Sequence, residues 1–400
     1  MREMAAEPAA VPQPTHPSWT PTRLGDLCEF VRGVTFDKGE ASSDPRDGCL
    51  PILRAGNISE GLDLDNDLVW VPAERVSPQQ HLRVGDIAIC MSSGSPAVVG
   101  KSAALQQRFA GSVGAFCGII RARDSRWSEY IAFWLRSPVF MGWRDGQARG
   151  ANIQNLRFSQ FESLAILTPP VDERDAFVSR LRSQLEAAAR MRAAAHGLTH
   201  LLDDMIDANL RRSLAGSGVR EVQLAEYLVE VKKGVGVRWR EYPVLGVTRR
   251  GVASAKESVG KFPERYKLLD SGTVFYNPMR ILLGSIGMVD AEDAVGITSP
   301  DYVVVKGIEG KLHHRWFYWW LRSWRGAEFI KSLTRGAVRE RMLFRRLTSG
   351  SVRLPSWESQ VEAAVTMLRI AEARRQVAAQ SPSIDALPTA FLRRAFGGAG

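Results

Sequence analysis

The sequence predicts a mixed α/β protein made of two similar globular domains, each followed by a long helix, with the helices pairing as an antiparallel coiled coil. Three observations predict this. First, motifs recur 186 residues apart: E-Y-I-A-F-W-L-R-S around Trp134 answers to R-W-F-Y-W-W-L-R-S around Trp320, Gly150 to Gly336, and Pro169 to Pro355. A period this long marks a duplicated domain, because solenoid units run about 20–50 residues. Second, each copy opens with short β-type runs punctuated by Gly, Pro, Asn and Asp. Third, each copy closes on a stretch with helical periodicity.

The elements follow in chain order. Residues 1–17 are a Pro/Ala-rich arm without an apolar signal core, read as disordered. Residues 18–167 form the first domain, with strand-like runs L-P-I-L-R-A-G-N-I, G-D-I-A-I-C-M and G-A-F-C-G-I-I-R-A. Residues 168–216 are the first spacer helix. Pro169-Pro170 block a helix before it, Asp172 offers an N-cap oxygen, and Arg211 and Arg212 suit the C-terminal end of the dipole. Its apolar seam runs Val178, Leu181, Leu185, Ala188, Met191, Ala195, Leu198, Leu202, Met205, alternating steps of 3 and 4 with one extra 3, which is a stammer. Residues 217–355 form the second domain, with Y-P-V-L-G-V-T, G-T-V-F-Y-N-P and D-Y-V-V-V-K as strands. Residues 356–400 are the second helix and tail, with Val361, Val365 and Leu368 on one face and a break expected at Ser381-Pro382. N-L-R-R-S-L-A-G (Asn209–Gly216) and F-L-R-R-A-F-G-G (Phe391–Gly398) close the two copies alike.

Charge divides the copies. Residues 18–167 carry 16 Lys/Arg against 16 Asp/Glu, whereas residues 217–355 carry 24 against 14, so the whole surplus of +10 sits in the second domain. A basic domain gathers polyanions by counterion release, nucleic acid first among them. The four cysteines lack C-x-x-C spacing, which argues against a zinc ribbon or disulfide scaffold, and no apolar run approaches a membrane span. A cytoplasmic location without membrane attachment is the expectation.

No catalytic constellation is legible. Gly94–Ser102 (G-S-P-A-V-V-G-K-S) places five residues, not the four of a phosphate-binding loop, before Gly-Lys-Ser. Y-N-P-M-R (Tyr276–Arg280) has Met and Arg where amino-methyltransferases need Pro and an aromatic ring. His196, His200 and Asp203 share a helix face but belong to no metal-binding motif, so no metal is expected. The Trp316, Trp319, Trp320, Trp324 group reads as helix core. What remains suits DNA recognition. The first domain offers Arg54, Asn57, Ser92, Ser93, Ser95 and Lys101 at strand ends, and Arg149, Asn152, Gln154, Asn155 and Arg157 in R-G-A-N-I-Q-N-L-R. Arg, Asn and Gln pair bidentately with guanine and adenine edges. The second domain offers Arg249, Arg250, Lys256, Asn277 and Arg280, then Arg335, Arg339, Arg341 and Arg345 in a more basic stretch suited to phosphates.

In their order and duplication these segments resemble the specificity subunit of type I restriction-modification systems. The resemblance rests on W-T-P-T-R-L-G-D-L-C-E-F-V-R-G, V-G-D-I-A-I, R-G-A-N-I-Q-N-L with L-A-I-L-T-P-P, L-D-S-G-T-V-F-Y-N-P-M-R and R-L-P-S-W-E-S-Q. It implies a non-catalytic chain whose two target-recognition domains each read one half of a bipartite double-stranded DNA site. It implies helices that fix the gap and dock two methyltransferase subunits, with a motor/nuclease subunit completing the complex. S-adenosylmethionine, ATP and Mg would then belong to those partners, with no cofactor in this chain. The second domain departs by opening with V-R-E-V-Q-L-A-E-Y-L. The other class of reading is a scaffold whose modules bind two copies of a partner without reading DNA.

Overall fold

A computed structural model describes residues 18–148, 155–249, 251–255, 259–334 and 341–397. The chain divides into two compact units, Met1–Arg192 with Pro382–Gly400, and Ala193–Ser381. Each unit carries the same scaffold. In the first, four strands lie in the order Cys28–Arg32, Cys117–Ala122, Ile87–Cys90, Ser102–Ala104. In the second, the order is Leu228–Glu230, Val303–Gly307, Thr273–Tyr276, Ile286–Val289. All neighbours are antiparallel, and the central pairs match in register: Ile87 faces Ile120 as Thr273 faces Lys306. Thr20–Arg23 pairs with Ala165–Thr168 in one unit, and Arg220–Gln223 with Ser351–Leu354 in the other. The 186-residue spacing holds for the strands Ile87–Cys90 and Thr273–Tyr276, Cys117–Ala122 and Val303–Gly307, and Ala165–Thr168 and Ser351–Leu354, and for the helices Ser128–Trp134 and His314–Arg322, Pro138–Ala148 and Trp324–Thr334, Phe158–Glu162 and Phe344–Thr348.

Outside this scaffold the units differ. The first adds a sheet ordered Val69–Pro72, Cys49–Leu53, Ser112–Val113; the second adds the pairs Leu245–Thr248 with Gly251–Ser254 and Lys267–Leu269 with Gly296–Thr298. Gly33, which ends the opening V-R-G, has to be glycine because a Cβ there would lie 2.0 Å from the Gly114 carbonyl oxygen.

Equivalent core positions are filled by different chemistry. Tyr130 and Trp316 are both fully buried; the Tyr130 hydroxyl donates to the Leu167 carbonyl, and Trp316 Nε1 donates to Ser213 Oγ at 3.0 Å. Trp316, Trp319 and Trp320 belong to the core as the sequence suggests, but Trp324 is 71% exposed: it opens the next helix, whose buried residues are Gly326, Ile330 and Thr334.

The spacer helices are Val171–Ala215 and Trp357–Phe396. The first begins one residue before the expected cap. The Pro170 carbonyl accepts from the amides of Glu173 and Arg174, which leaves Asp172 and Glu173 in the first turn, where the helix dipole favours them. Within each unit the two helices run antiparallel. In the first, Phe177 meets Phe396 with ring centroids 5.7 Å apart and Arg192 pairs with Asp385 at 3.0 Å. In the second, Asn209 donates to the Ala363 carbonyl at 2.9 Å and Arg374 pairs with Asp203 at 3.1 Å.

Three expectations about these helices are corrected. The second helix runs through Pro382 and Pro388 without breaking. An interior proline costs about 3 kcal/mol, and burial of Leu392 and Phe396 on one side and Met367 and Ile370 on the other outweighs that. Val178, Leu181 and Ala188 are buried, but Met191, Leu198 and Met205 are exposed. Past the stammer, burial proceeds in steps of four through Leu202, Ile206, Leu210 and Leu214, because that face packs on the Trp316 core. On the second helix Val365 is exposed, and Ala363, Ala364, Met367 and Ile370 are the buried residues.

One pair of equivalent positions gives opposite stability predictions. Gln360 is buried; its Oε1 accepts from the His313 amide at 2.9 Å, and its Nε2 donates to the carbonyls of Lys311 and Pro355, each at 3.0 Å. At the matching place stands Arg174, buried over the Trp127 ring at 4.8 Å. Its Nε donates to Asp175 Oδ1 at 2.9 Å, yet neither Nη1 nor Nη2 has a well-oriented hydrogen bond. Gln360→Met breaks three hydrogen bonds, one fully and two partly buried, and should cost about 2 kcal/mol. Arg174→Met keeps the stem packing and removes an ill-satisfied charge, so it should stabilise by about 1 kcal/mol. Thermal unfolding of the two variants should move in opposite directions.

Candidate nucleic-acid interface

In both units the described contact candidates collect at one end of the central sheet, beyond the carboxyl end of the strand Ile87–Cys90 or Thr273–Tyr276. In the first unit, Ser92 bridges to Asn155, and the Leu156 amide donates to the Met91 carbonyl at 2.8 Å. These contacts fold the helix-side loop back onto the sheet end. A cleft of about 760 Å³ opens there, lined among others by Arg54, Ser92, Ser93, Phe116, Cys117 and Asn155. Arg54 is exposed and donates to the Asp67 carbonyl at 3.0 Å. Ser93 Oγ accepts from the Ser95 amide at 3.2 Å, and Lys101 is exposed at the return of the same loop. That loop hands the chain from Cys90 to Ser102 through backbone bonds between Cys90 and Gly100 and between Cys90 and Lys101, so it closes a hairpin instead of curling around a phosphate. Arg157 is exposed just before the Phe158–Glu162 helix.

Asn57 is corrected. It is buried, its Oδ1 accepts from the Arg54 amide at 2.8 Å, and its Nδ2 donates to the carbonyls of Asp63 and Asn66. Its amide is spent on holding the loop that presents Arg54, so it acts on the site only through that loop.

The second unit gathers arginines at the same end. The Met342 amide donates to the Pro278 carbonyl at 2.9 Å, the counterpart of Leu156 on Met91, and sets Arg341 beside the Asn277–Arg280 turn. Asn277 Oδ1 accepts from the Met279 amide at 2.9 Å, shaping that turn. Arg249 Nε donates to the Leu283 carbonyl at 3.1 Å. Arg322, which no motif singles out as a contact residue, donates to the carbonyls of Gly284, Ile286 and Arg249 and so ties both loops to the helix His314–Arg322. Arg280, Arg341 and Arg345 are exposed. The result is a cationic tip with apolar Met279 and Leu283 among the arginines. Arg149, Asn152, Gln154, Arg250, Lys256, Arg335 and Arg339 lie outside the described residues.

Several titratable groups elsewhere are engaged in structure. Asp290 sits between His314 and Arg315; burial alone would raise its pKa, but hydrogen bonds from those two side chains hold it well below the usual carboxylate range. Burial pushes the Cys28 thiol up to about 12, so it is a poor nucleophile at neutral pH. His196 and His200 sit edge to face at 4.5 Å, and Asp203 is taken by Arg374. Among the described residues no group of three His, Cys, Asp or Glu side chains gathers to hold a metal, and no helix is long and apolar enough to cross a membrane.

No family model matches the chain. It is 27% identical over 312 residues to the type I restriction enzyme EcoKI specificity subunit of Escherichia coli (strain K12), covering 72% of this chain and 67% of that protein. It is 33% identical over 199 residues to the StySPI specificity subunit of Salmonella potsdam, covering 50% of this chain and 43% of that one. The chain is a relative of the type I specificity subunits. Solved structures agree in fold. A chain from work on complex assembly and conformational transition of the type I R-M system aligns over 97% of this one and 100% of its own length at a TM-score of 0.63 and 14% identity. The type I S subunit from M. genitalium aligns over 98% and 100% at 0.54, also with 14% identity. The chain thus shares its mixed α/β fold with these two solved chains. The sequence matches span two thirds of the first curated relative and less than half of the second.

Proposed function

We propose that this relative of the type I specificity subunits is the DNA-recognition subunit of a type I restriction-modification complex, non-catalytic by itself. Each unit reads one half of a bipartite double-stranded site, the helices set the gap as an antiparallel coiled coil, and they dock two methyltransferase subunits. A motor/nuclease subunit completes the restriction form. S-adenosylmethionine, ATP and Mg are handled by those partners, and the complex works in the cytoplasm. The observation that carries the reading is one scaffold used twice, with contact residues at the same sheet end in both units but different in kind: serines, Asn155 and Phe116 in the first, arginines in the second. A shared frame with divergent contact loops suits two different half-sites.

The test is selection from randomised duplexes with the chain assembled on its methyltransferase subunits. The expected result is enrichment of a two-part motif with a fixed gap, and affinity that falls steeply with salt. A heptad inserted at Gly197, where an added Cβ meets nothing within 4 Å, keeps the apolar phase and adds about 10 Å of helix. It should widen the gap by about three base pairs and leave both half-motifs unchanged. Absence of any enriched motif would favour the scaffold reading; an unchanged gap would defeat the helices as a ruler.

A further inference from the structure

Phe116 is the most exposed aromatic residue of the first unit, at 70%, and it is not floppy. Its carbonyl accepts from the amides of Met91 and Ser92 at 2.9 and 3.1 Å, and the turn beneath it is closed by the Cys117 amide on the Gly114 carbonyl at 2.8 Å. Gly114 is in turn fixed by its own amide on the Leu53 carbonyl at 2.9 Å. An apolar ring is therefore held out to water on a clamped backbone. At the equivalent position of the second unit Tyr302 is half-buried, packing on Phe275 at 6.0 Å, with its hydroxyl beside the Leu245–Thr248 strand. The scaffold can cover an aromatic at this place, and in the first unit it leaves it open at the rim of the 760 Å³ cleft.

Size and charge select the occupant. The cleft falls within the range of about 300–1,000 Å³ typical of pockets for single small ligands, and it is concave, unlike the protruding element that reads paired bases in a groove. Its walls are mostly apolar (Val34, Phe36, Cys117), with Arg54, Ser92 and Asn155 supplying polar groups. The first domain has no net charge to attract phosphates, so its affinity has to come from contacts that do not depend on charge. An exposed ring beside a mixed apolar and polar cleft in a neutral domain fits a planar heterocycle with hydrogen-bonding edges.

We propose that the cleft takes up one nucleobase lifted out of the duplex stack, with Phe116 stacking on its face and Arg54, Ser92 and Asn155 meeting its edge. This makes Phe116 a specificity-determining residue of the first half-site, and the assignment rests on the DNA-recognition reading above.

The experiment uses the assembled complex and its selected duplex, with 2-aminopurine placed at each position of the first half-site in turn. Wild type should brighten at one position through Phe116-dependent unstacking. Phe116→Ala should lose that signal and bind roughly 5- to 150-fold more weakly, with an unchanged slope of log K against log salt because no phosphate contact is lost. Phe116→Tyr should restore both. The thermal midpoint of Phe116→Ala should match wild type, since the ring is exposed. Extrusion by the methyltransferase subunits gives a rise that survives Phe116→Ala, and if that is the only rise the proposal fails. It fails equally if Phe116→Ala binds as wild type, or if the variant instead loses subunit assembly in the absence of DNA. Failure to select any duplex at all would overturn the DNA reading itself, a different outcome.

Discussion

Asp86→Ala is expected to lower the stability of the first unit by about 3–5 kcal/mol, enough to leave much of it unfolded near physiological temperature. Asp86 and Arg121 form a bidentate pair, Nε to Oδ1 at 2.8 Å and Nη2 to Oδ2 at 2.6 Å, with side chains 3% and 10% exposed. The remaining donors of Arg121 reach the carbonyls of Gln79 and His81, and the Arg83 amide also bonds Asp86. Removing the carboxylate leaves a guanidinium buried without a counter-charge, which costs far more than the pair contributes over an apolar replacement. The second unit supplies the control. Its pair near the same strand end, Asp270 with Lys306 at 2.7 Å, is about 40% exposed on both sides. Water replaces the partner lost to Lys306, and only the hydrogen bond from the buried Thr273 hydroxyl at 2.9 Å is lost besides, so Asp270→Ala should cost about 1–2 kcal/mol, well below Asp86→Ala. Denaturant titration of the two variants decides the matter, and comparable losses would refute the burial argument.

Trp316→Ala is the second large effect. Trp316 is fully buried, stacks on Trp320 with centroids 6.2 Å apart at 13°, and donates to Ser213 on the spacer helix. Truncation removes the indole, opens a cavity between helix and sheet, and should cost about 3–5 kcal/mol. Ser213 is not left stranded, because its hydroxyl also donates to the Leu210 carbonyl at 2.8 Å. The loss is therefore a packing loss, and Trp316→Phe should recover most of it. A destabilisation below about 1 kcal/mol would mean that the core closes over the gap.

How far the fold can be read from the residues depends on which of them the duplication constrains. The aromatic helix around Trp134 and Trp320 is legible because both copies must fill the same space beneath the same sheet. The helix seam is legible up to Ala188 and again at Leu202, but not at Met191, Leu198 or Met205: the heptad argument assumes a helical partner, whereas from Leu202 onward the sheet core also claims a face. Pro382 misleads because propensity is local and the packing that outweighs it is not. Among the site residues, Ser92, Asn155, Arg249 and Arg280 stand at sheet ends as punctuation and residue type imply. Asn57 shows no sign in the sequence of being turned inward. Phe116 is illegible for the converse reason: a Phe between strand residues reads as core, and its exposure depends on which loops happen to cover it, as Tyr302 shows.

The constant spacing between the copies also bears on what the gene can do. From Ile87 and Thr273 to the helix starts at Val171 and Trp357 the copies keep a 186-residue offset in central strand register and helix starts. Before that the offset is 200, as Thr20 with Arg220 and Cys28 with Leu228 show. Insertions and deletions have thus been absorbed in the stretch between the first strand and the central one. Recombination that exchanged the later segments in frame would preserve the strand pairing and helix phase of both units. A crossover in the earlier stretch would have to reconcile 14 residues of difference.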